Sequence, residues 1–381
     1  MYSSFLRRLS LTGSLVVAGF CVLCAQSDAF ELKYNNSSVY AGIEVGSKGV
    51  KLSIVEIGKN AKTTGAFNAL KDSSINTDFI TFSQSTFSAT LNGLYNLYST
   101  VTNDYKIPAK DIFTVVSSGV KMQAEKENKN SYIKQLIDSF RLKIKDPKRE
   151  VEVIDVLGEA RLSHLGIVPD EKRYNTFLID IGSGNAKGGY FPYGNTNDFK
   201  LFQLNWGTKS VTNETDKKCG DDKTLINYNR QLYRTLMTVE NTELIYAINA
   251  SGAYPLSDNI AFSGGIAWSV ATLLKPDLID KSVVTVSFEE VQKFADRLYS
   301  SFGSLSPELL SQTVKENQAT VFKETKRVHS VFDQRALMAG TGLLLKIMRQ
   351  FVSVYETKQF YLVKNGQVGW ITAYVDQAIN K

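Results

Sequence analysis

Cysteine, histidine and proline are scarce in this chain of 381 residues, and each scarcity excludes a class of protein. Three cysteines are too few for a disulfide framework or a four-cysteine zinc site. Two histidines, His164 and His329, exclude a three-histidine metal centre and the HExxH helix of zinc proteases. Seven prolines and 26 glycines exclude a collagen-like or low-complexity chain. The 43% of apolar residues can form a large core in one or two domains.

Residues 1–29 have the three parts of a secretory signal peptide. Two arginines form a basic start, an apolar run follows, and Ser27 and Ala29 fit the small-x-small pattern of signal peptidase. We therefore expect cleavage after Ala29 and a periplasmic or secreted protein. An uncleaved anchor is disfavoured because the apolar run is shorter than the about 20 residues of a membrane span. The residues before Cys24 disfavour a lipoprotein.

The rest of the chain lacks any run of 18 apolar residues and contains one cysteine, Cys219. We therefore expect no stable membrane insertion after cleavage, and a fold stabilised by its core rather than by disulfides. The formal net charge of +6 is small for this length. Such a charge permits an anionic ligand without requiring a nucleic acid, and we expect no nucleic-acid partner.

Two segments far apart in the chain share one pattern, in which an apolar strand with an acidic residue is followed by a glycine-rich turn and a second strand. The first segment reads IEVGSKGVKLSI from Ile43, and the second reads IDIGSGNAKGGY from Ile179. The acidic residues are Glu44 and Asp180, and both turns begin with Gly-Ser. Two related hairpins predict a duplicated architecture with two similar lobes.

Strands and helices alternate along the chain, which favours an α/β fold. We assign residues 30–165 to lobe I and 166–381 to lobe II, and we consider that the last helix packs back on lobe I. The spacing of apolar residues predicts helices at 83–105, 130–142, 157–165, 225–250, 288–302, 328–354 and 369–378, and short strands at 112–116, 151–154, 201–204, 259–262 and 359–363.

The glycine turns indicate an anion-binding site, because consecutive backbone N–H groups and serine hydroxyls can surround a phosphate. A third turn precedes a helix, whose N-terminus also attracts anions. An acidic residue beside a phosphate is favourable when Mg²⁺ lies between them, so Glu44 and Asp180 are candidate metal ligands. The candidate phosphate-binding residues of the three turns are Gly46, Ser47, Gly182, Ser183, Gly184, Asn185, Ser263, Gly264 and Gly265.

The order of these motifs resembles that of the exopolyphosphatase/guanosine pentaphosphate phosphatase (Ppx/GppA) family, of the actin/Hsp70/hexokinase superfamily. The resemblance implies a two-lobed, actin-like (ribonuclease H-like) α/β ATPase fold with a central cleft, hydrolysis of phosphoanhydrides, and Mg²⁺ as cofactor. It assigns to Glu159 the catalytic carboxylate that orients or deprotonates the attacking water. The matching stretches are AGIEVGSKGVKLSIVEI from Ala41, TVVSSGVKMQA from Thr114, VEVIDVLGEARLSHLGI from Val151 and FLIDIGSGNAKGGYF from Phe177.

Four positions depart from the pattern of that family. Glu44 stands where an aspartate is usual, and Lys48 where asparagine is common. Lys121 replaces an arginine that contacts phosphate, and Lys187 replaces a glutamate after the second glycine turn. Because the three lysines make the site more positive, we add Lys48, Lys121 and Lys187 to the candidate phosphate-binding residues. The same changes weaken the binding of a divalent metal.

Two functions from different classes follow from these residues. The first is an exported hydrolase that releases terminal phosphate from polyphosphate or another phosphoanhydride, with Glu159 assisting the attack of water. The second is a polyphosphate- or nucleotide-binding module that has the same fold and has lost turnover. An ATP-dependent, actin-like filament is disfavoured, because exported compartments lack a pool of ATP. A homodimer remains open.

Overall fold

The computed structural model describes residues 30–47, 49–58, 67–352, 356–364, 366 and 369–379. The expected signal peptide and the candidate ligand Lys48 lie outside these residues. Within them, no helix combines the length and the apolar composition needed to cross a membrane.

The strands form two mixed sheets, one in each half of the chain. In chain order they are β1 Ser38–Val45, β2 Gly49–Ile57, β3 Phe67–Asn76, β4 Ile112–Val116, β5 Glu152–Val153, β6 Thr176–Ile181, β7 Ala186–Tyr190, β8 Lys200–Leu204, β9 Asn259–Ser263, β10 Val283–Val286 and β11 Gln359–Val363. The strand order is β3-β2-β1-β4-β5 in the first sheet and β10-β11-β9-β6-β7-β8 in the second.

The two glycine hairpins occupy equivalent places in the two sheets. Strand β1 is antiparallel to β2 and parallel to β4, and strand β6 is antiparallel to β7 and parallel to β9. Helices follow both β4 and β9 along the chain. The α/β fold that the alternating pattern predicts is therefore confirmed.

The helices cover both sheets, and two of the long helices expected from the sequence are interrupted. In chain order they are α1 Gln84–Ser99, α2 Ser118–Lys126, α3 Asn130–Ile144, α4 Val156–Ile167, α5 Thr208–Cys219, α6 Leu225–Val239, α7 Ile245–Ser251, α8 Ala253–Leu256, α9 Gly265–Leu274, α10 Phe288–Ser300, α11 Pro307–Gln312, α12 Gln318–Val331, α13 Gln334–Arg349 and α14 Gly369–Ile379. A π-helical turn at Glu240–Leu244 separates α6 from α7.

The single helix predicted over 328–354 was wrong. The chain leaves the helical conformation at Phe332 and Asp333. The side chain of Asp333 accepts a hydrogen bond of 2.8 Å from the backbone N–H of Ala336. An aspartate in extended conformation at this place caps a new helix. Strand β3 was not predicted, because its sequence FNALKDSSIN has little apolar alternation. It is held by antiparallel pairing with β2.

Each lobe has its own hydrophobic core. Ile43, Leu52 and Phe140 are buried in the first core, and Phe177 and Phe262 are buried in the second. Because the cores are separate, the hairpins of the two sheets can meet along the border between the lobes without sharing a core.

Helices α4 and α14 cross closely beside the first sheet. A Cβ atom added to Gly166 of α4 would lie 1.7 Å from the carbonyl oxygen of Gly369, so only glycine permits this approach. A Cβ atom on Gly42 of β1 would lie 2.4 Å from the side chain of Ile371. The C-terminal helix therefore packs against both α4 and the first sheet.

A buried carboxylate, Glu56 of β2, joins the segment before β1 to the first sheet. Its oxygens accept hydrogen bonds from the backbone N–H groups of Lys33 (2.9 Å) and Tyr34 (2.7 Å). The hydroxyl of Ser37 (2.6 Å) and the amide of Asn68 (3.1 Å) also donate to it. Burial raises the pKa of Glu56, but these hydrogen bonds outweigh it and hold the pKa below its usual value.

We expect Glu56→Gln to lower the free energy of unfolding by about 3 kcal/mol, because a buried amide cannot accept all four hydrogen bonds and would set its own donors against N–H groups. Chemical denaturation measures the change. Glu31→Gln, at an exposed position of the same segment, is the matched control. Equal stability of the two variants would contradict a role for the Glu56 hydrogen bonds.

Candidate functional site

Each hairpin places a lysine directly opposite its acidic residue. Glu44 is the cross-strand partner of Lys51, and Asp180 is the cross-strand partner of Lys187. Residues opposite each other in an antiparallel pair point to the same side of the sheet. Both halves of the duplicated pattern therefore carry a carboxylate and an ammonium group side by side.

The turns of the two hairpins are closed by the same backbone hydrogen bond. The N–H of Gly46 donates to the carbonyl of Gly49, and the N–H of Gly182 donates to the carbonyl of Asn185, each at 2.9 Å. The second turn is also bonded to the start of α5, since the N–H of Thr208 donates to the carbonyl of Gly182 at 3.0 Å. The turns thus have a fixed shape before any ligand binds.

In each lobe, a serine-rich turn connects the neighbouring parallel strand to a helix. In lobe I, Ser117 ends this connection before α2, and its N–H donates to the carbonyl of Val45 at 3.0 Å. A Cβ atom on Gly119 would lie 3.0 Å from the hydroxyl of Ser47. The N-terminus of α2 therefore lies beside the first hairpin.

The third predicted turn lies against the second hairpin in the same way. Ser263 donates a hydrogen bond of 2.8 Å from its hydroxyl to a carboxylate oxygen of Asp180. Gly264 has a φ of 93°, and a Cβ atom there would lie 2.3 Å from the carbonyl oxygen of Ile181. Gly265 begins α9. The structure thus brings the candidate residues of this turn next to those of the second hairpin.

Glu159 lies in the first turn of α4 and connects the two lobes. Its Oε1 atom is 2.5 Å from the Nζ atom of Lys187 on β7. Its Oε2 atom accepts a hydrogen bond of 2.9 Å from the backbone N–H of Ser118, the first residue of α2. Lys187 also donates to the hydroxyl of Ser118 at 3.3 Å. The side chains of Glu159 and Lys187 are only 16% and 11% exposed, so this ion pair is largely shielded from water.

The surroundings of Glu159 keep it ionised. Burial by itself raises the pKa of this carboxyl group. The charge of Lys187 and the hydrogen bonds from Lys187 and Ser118 have the larger combined effect, and the pKa lies below its usual value. A carboxylate in this state is better suited to orienting a water molecule than to removing its proton.

Carboxylates of both lobes act on the ammonium group of Lys51. Lys51 is accessible to solvent, although protein atoms surround much of its side chain. The charge of Glu44 raises the pKa of Lys51 against the opposite effect of burial, and Asp180 and Glu159 raise it further. Such effects require these charges to be near one another. The geometry agrees with this effect, because Glu44 is the cross-strand partner of Lys51 and lies beside the same cavity as Glu159.

A small cavity of about 10 Å³ lies beside Glu44 and Glu159, and the surface that lines it is almost entirely apolar. Two glutamates and a serine contribute to it together with apolar residues, one of them from α14, but such an apolar lining offers a water molecule few hydrogen-bond partners. The lining residues are Glu44, Val115, Ser117, Ile154, Glu159 and Trp370.

Lys121 lies away from the site around Glu159. Its ammonium group is 3.9 Å from Glu125, one turn further along α2. Its side chain lines a groove of 410 Å³ between α2, α3 and β5 that shares no residue with the cavity at Glu159. The expectation that Lys121 belongs to the phosphate site is therefore not supported by its contacts, because it lies on the side of α2 that faces α3.

Lys51, Ser118 and Trp370 were not among the residues predicted for the site. The motif TVVSSGVKMQA contains Ser118, and a serine pair between a strand and a helix could have indicated it. Lys51 lies at the same distance from its acidic residue as Lys187 does, which was a usable signal. Trp370 comes from the last helix, and no local pattern connects it to the site.

The residues present do not fit Mg²⁺ well. The described residues contain no group of three or more acidic, histidine or cysteine side chains that could hold a metal ion. Glu44 has Lys51 opposite it, Glu159 is paired with Lys187, and Asp180 accepts a hydrogen bond from Ser263. Each carboxylate that would attract a cation already has a positive or donating neighbour, and an added divalent ion would be repelled by both ammonium groups.

The backbone of Gly207, just before α5, packs closely against the turn of the second hairpin. A Cβ atom there would lie 2.5 Å from the carbonyl oxygen of Gly182 and 2.7 Å from the backbone nitrogen of Asn185. We expect Gly207→Ala to lower the free energy of unfolding by about 2 kcal/mol, because the turn must shift to make room. Gly184→Ala is the control for stability, since a Cβ atom at Gly184 meets nothing within 4 Å. An equal change in melting temperature in both variants would contradict a role for this contact.

No family model and no curated protein matches this chain. Solved structures do. A Ppx/GppA phosphatase of Aquifex aeolicus, in its type II variant, has 16% identity and a TM-score of 0.59 over 88% of this chain and 98% of that one. An exopolyphosphatase-like protein has 16% identity and a TM-score of 0.57 over 91% of this chain and 100% of that one. An exopolyphosphatase from Cytophaga hutchinsonii has 14% identity and a TM-score of 0.51 over 89% and 98%.

The similarity extends through both sheets rather than through a single motif, since it covers nearly nine-tenths of this chain. The sequence motifs had predicted the same relationship. The chain therefore has the two-lobed, actin-like α/β fold of the Ppx/GppA phosphatases.

Proposed function

We propose that the chain hydrolyses phosphoanhydride bonds and releases terminal phosphate from polyphosphate. The observation that carries this proposal is the position of Glu159, whose carboxylate contacts Lys187 of the second hairpin and the N–H of Ser118, at the helix N-terminus that lies beside the first hairpin. The solved exopolyphosphatases that share the fold support the substrate class. We also propose that residues 1–29 direct export, which favours polyphosphate over ATP or guanosine pentaphosphate, because exported compartments lack nucleotide pools.

In the proposed reaction, Glu159 orients the water molecule towards the terminal phosphorus. The water oxygen forms a bond to that phosphorus while the bond to the bridging oxygen breaks. The bridging oxygen leaves with its electron pair on the shortened chain, and the proton that the water loses passes to a phosphate oxygen. Little covalent chemistry is required of the protein, since positioning and charge stabilisation account for most of such catalysis.

The turns supply the groups that hold the phosphates. The backbone N–H groups of Ser47 on one side, and of 183–185 on the other, can face oxygens of the same polyphosphate molecule, since those of Gly46 and Gly182 close the turns. The N-termini of α2 and α9 add their partial positive charge. Lys51 and Lys187 compensate the negative charge of the substrate and the developing charge on the bridging oxygen.

A second candidate, binding without turnover, is favoured by one specific observation. Glu159 is already satisfied by Lys187 and by the N–H of Ser118, and its pKa is lowered. A carboxylate that is tied in this way could serve only as a structural link between the lobes. The chain would then be a polyphosphate- or nucleotide-binding module.

Two measurements on the full chain separate the candidates. Orthophosphate release from inorganic polyphosphate is followed with Mg²⁺ and with EDTA, and binding of the same polymer is followed by calorimetry. Release that is lost in Glu159→Gln supports the hydrolase. Binding without release in either protein overturns the hydrolase and supports the module. Absence of both release and binding overturns both proposals.

A further inference from the structure

We infer that the site between the hairpins binds oligophosphates without a divalent cation, with Lys51 and Lys187 supplying the positive charge. This inference rests on the proposed function for the location of the site. It goes further by assigning the countercharge of the substrate to two side chains of the protein instead of to Mg²⁺.

The first argument is that the carboxylates of the site are compensated within the protein. Glu159 has Lys187 at 2.5 Å and the N–H of Ser118 at 2.9 Å. Asp180 accepts the hydroxyl of Ser263 at 2.8 Å. Glu44 has Lys51 opposite it on β2. A carboxylate with such partners repels a phosphate less, and it no longer needs a metal ion between itself and the ligand.

The second argument is that the two lysines occupy equivalent positions. Each is the cross-strand partner of the acidic residue on the first strand of its hairpin. The same pair of a carboxylate and an ammonium group therefore occurs at the same register in both lobes, which indicates the same local role in each. Because Glu44, the partner of Lys51, and Glu159, the partner of Lys187, lie beside the same cavity, the two ammonium groups border the same region.

The third argument concerns what each lysine can still bind. An ammonium group has three N–H donors. Among the described residues, Lys187 uses donors for Glu159 and for the hydroxyl of Ser118. Lys51 is exposed, so its donors are open to a ligand from solvent. A chain of several phosphates could therefore contact Lys51 first and extend along the turn N–H groups towards Lys187.

Isothermal titration of the full chain with inorganic tripolyphosphate in EDTA tests the inference. We expect binding in EDTA, and a loss of about tenfold to a hundredfold in affinity for Lys51→Met, which removes charge-assisted hydrogen bonds. Lys51→Arg should retain most of the affinity. Lys71→Met is the matched control, because Lys71 is an exposed lysine on the neighbouring strand β3. It should change the affinity by less than about twofold.

Excess Mg²⁺ should weaken the binding, since it pairs with tripolyphosphate in solution. Binding that appears only with Mg²⁺ would overturn the inference, and so would equal losses in the Lys51 and Lys71 variants. Thermal denaturation establishes that the Lys51 variants are folded. The proposed function fails separately: binding in EDTA without phosphate release would leave the inference intact, whereas release that requires Mg²⁺ would keep the hydrolase and remove the inference.

Discussion

Phosphate release from polyphosphate should fall by at least about 100-fold when Glu159 is replaced by glutamine, the loss expected for a group that assists the attacking water. Glutamine keeps the size of the side chain and can still accept the hydrogen bond from the N–H of Ser118. It has no negative charge to orient the water. The rate of orthophosphate release at saturating polyphosphate is the measurement, because it reports the chemical step rather than binding.

The matched control is Glu308→Gln, at an exposed position in the first turn of α11. It should release phosphate at the rate of the unmodified chain. Glu159→Gln leaves Lys187 buried without a counter-ion, so a loss of activity could come from a loss of folding. The double variant Glu159→Gln with Lys187→Met removes that charge, and it should be folded yet inactive. Release by Glu159→Gln at more than about one-tenth of the normal rate would show that water is activated elsewhere.

The sequence predicted the parts of the site that depend on local pattern. The hairpins at Gly46 and Gly182 follow from alternation that is broken by glycine, and their duplication predicted two equivalent lobes. The position of Glu159 depended on the resemblance of its motif. These features could be recognised because turn chemistry and strand period are written in neighbouring residues.

The contacts that the sequence did not predict all depend on register or on long-range packing. The spacing of the repeat pointed to Lys51, but its pairing with Glu44 became known only from the register of the strands. The sequence analysis assigned Lys121 to the phosphate site, but Lys121 lies on the side of α2 that faces α3. Trp370 lines the cavity because α14 packs against the first sheet, although some 200 residues separate it from Glu159 in the sequence. The positions of Lys121 and Trp370 have no local signal.

Lys187→Met should lower the free energy of unfolding by about 3–5 kcal/mol, the second large effect that we expect. The substitution removes one partner of a shielded ion pair and leaves the carboxylate of Glu159 without its nearest positive charge. Desolvation of an unpaired carboxylate is far more costly than the loss of one surface contact. Denaturation by urea at neutral pH measures the difference, and Lys200→Met, at an exposed position of β8, is the control.

The double variant with Glu159→Gln should recover most of that loss, because neither buried charge then remains. The pH dependence gives an independent check. The pKa of Glu159 is lowered in the folded chain, so the stability from its ion pair is fully present above the ordinary glutamate pKa of about 4.3. That stability is lost as the pH falls through the lower pKa of the folded state. The advantage of the unmodified chain over the double variant should therefore shrink in this acidic range. A Lys187→Met variant within about 1 kcal/mol of the unmodified chain at pH 7 would mean that Glu159 has another cationic partner, and Lys51 is the nearest candidate.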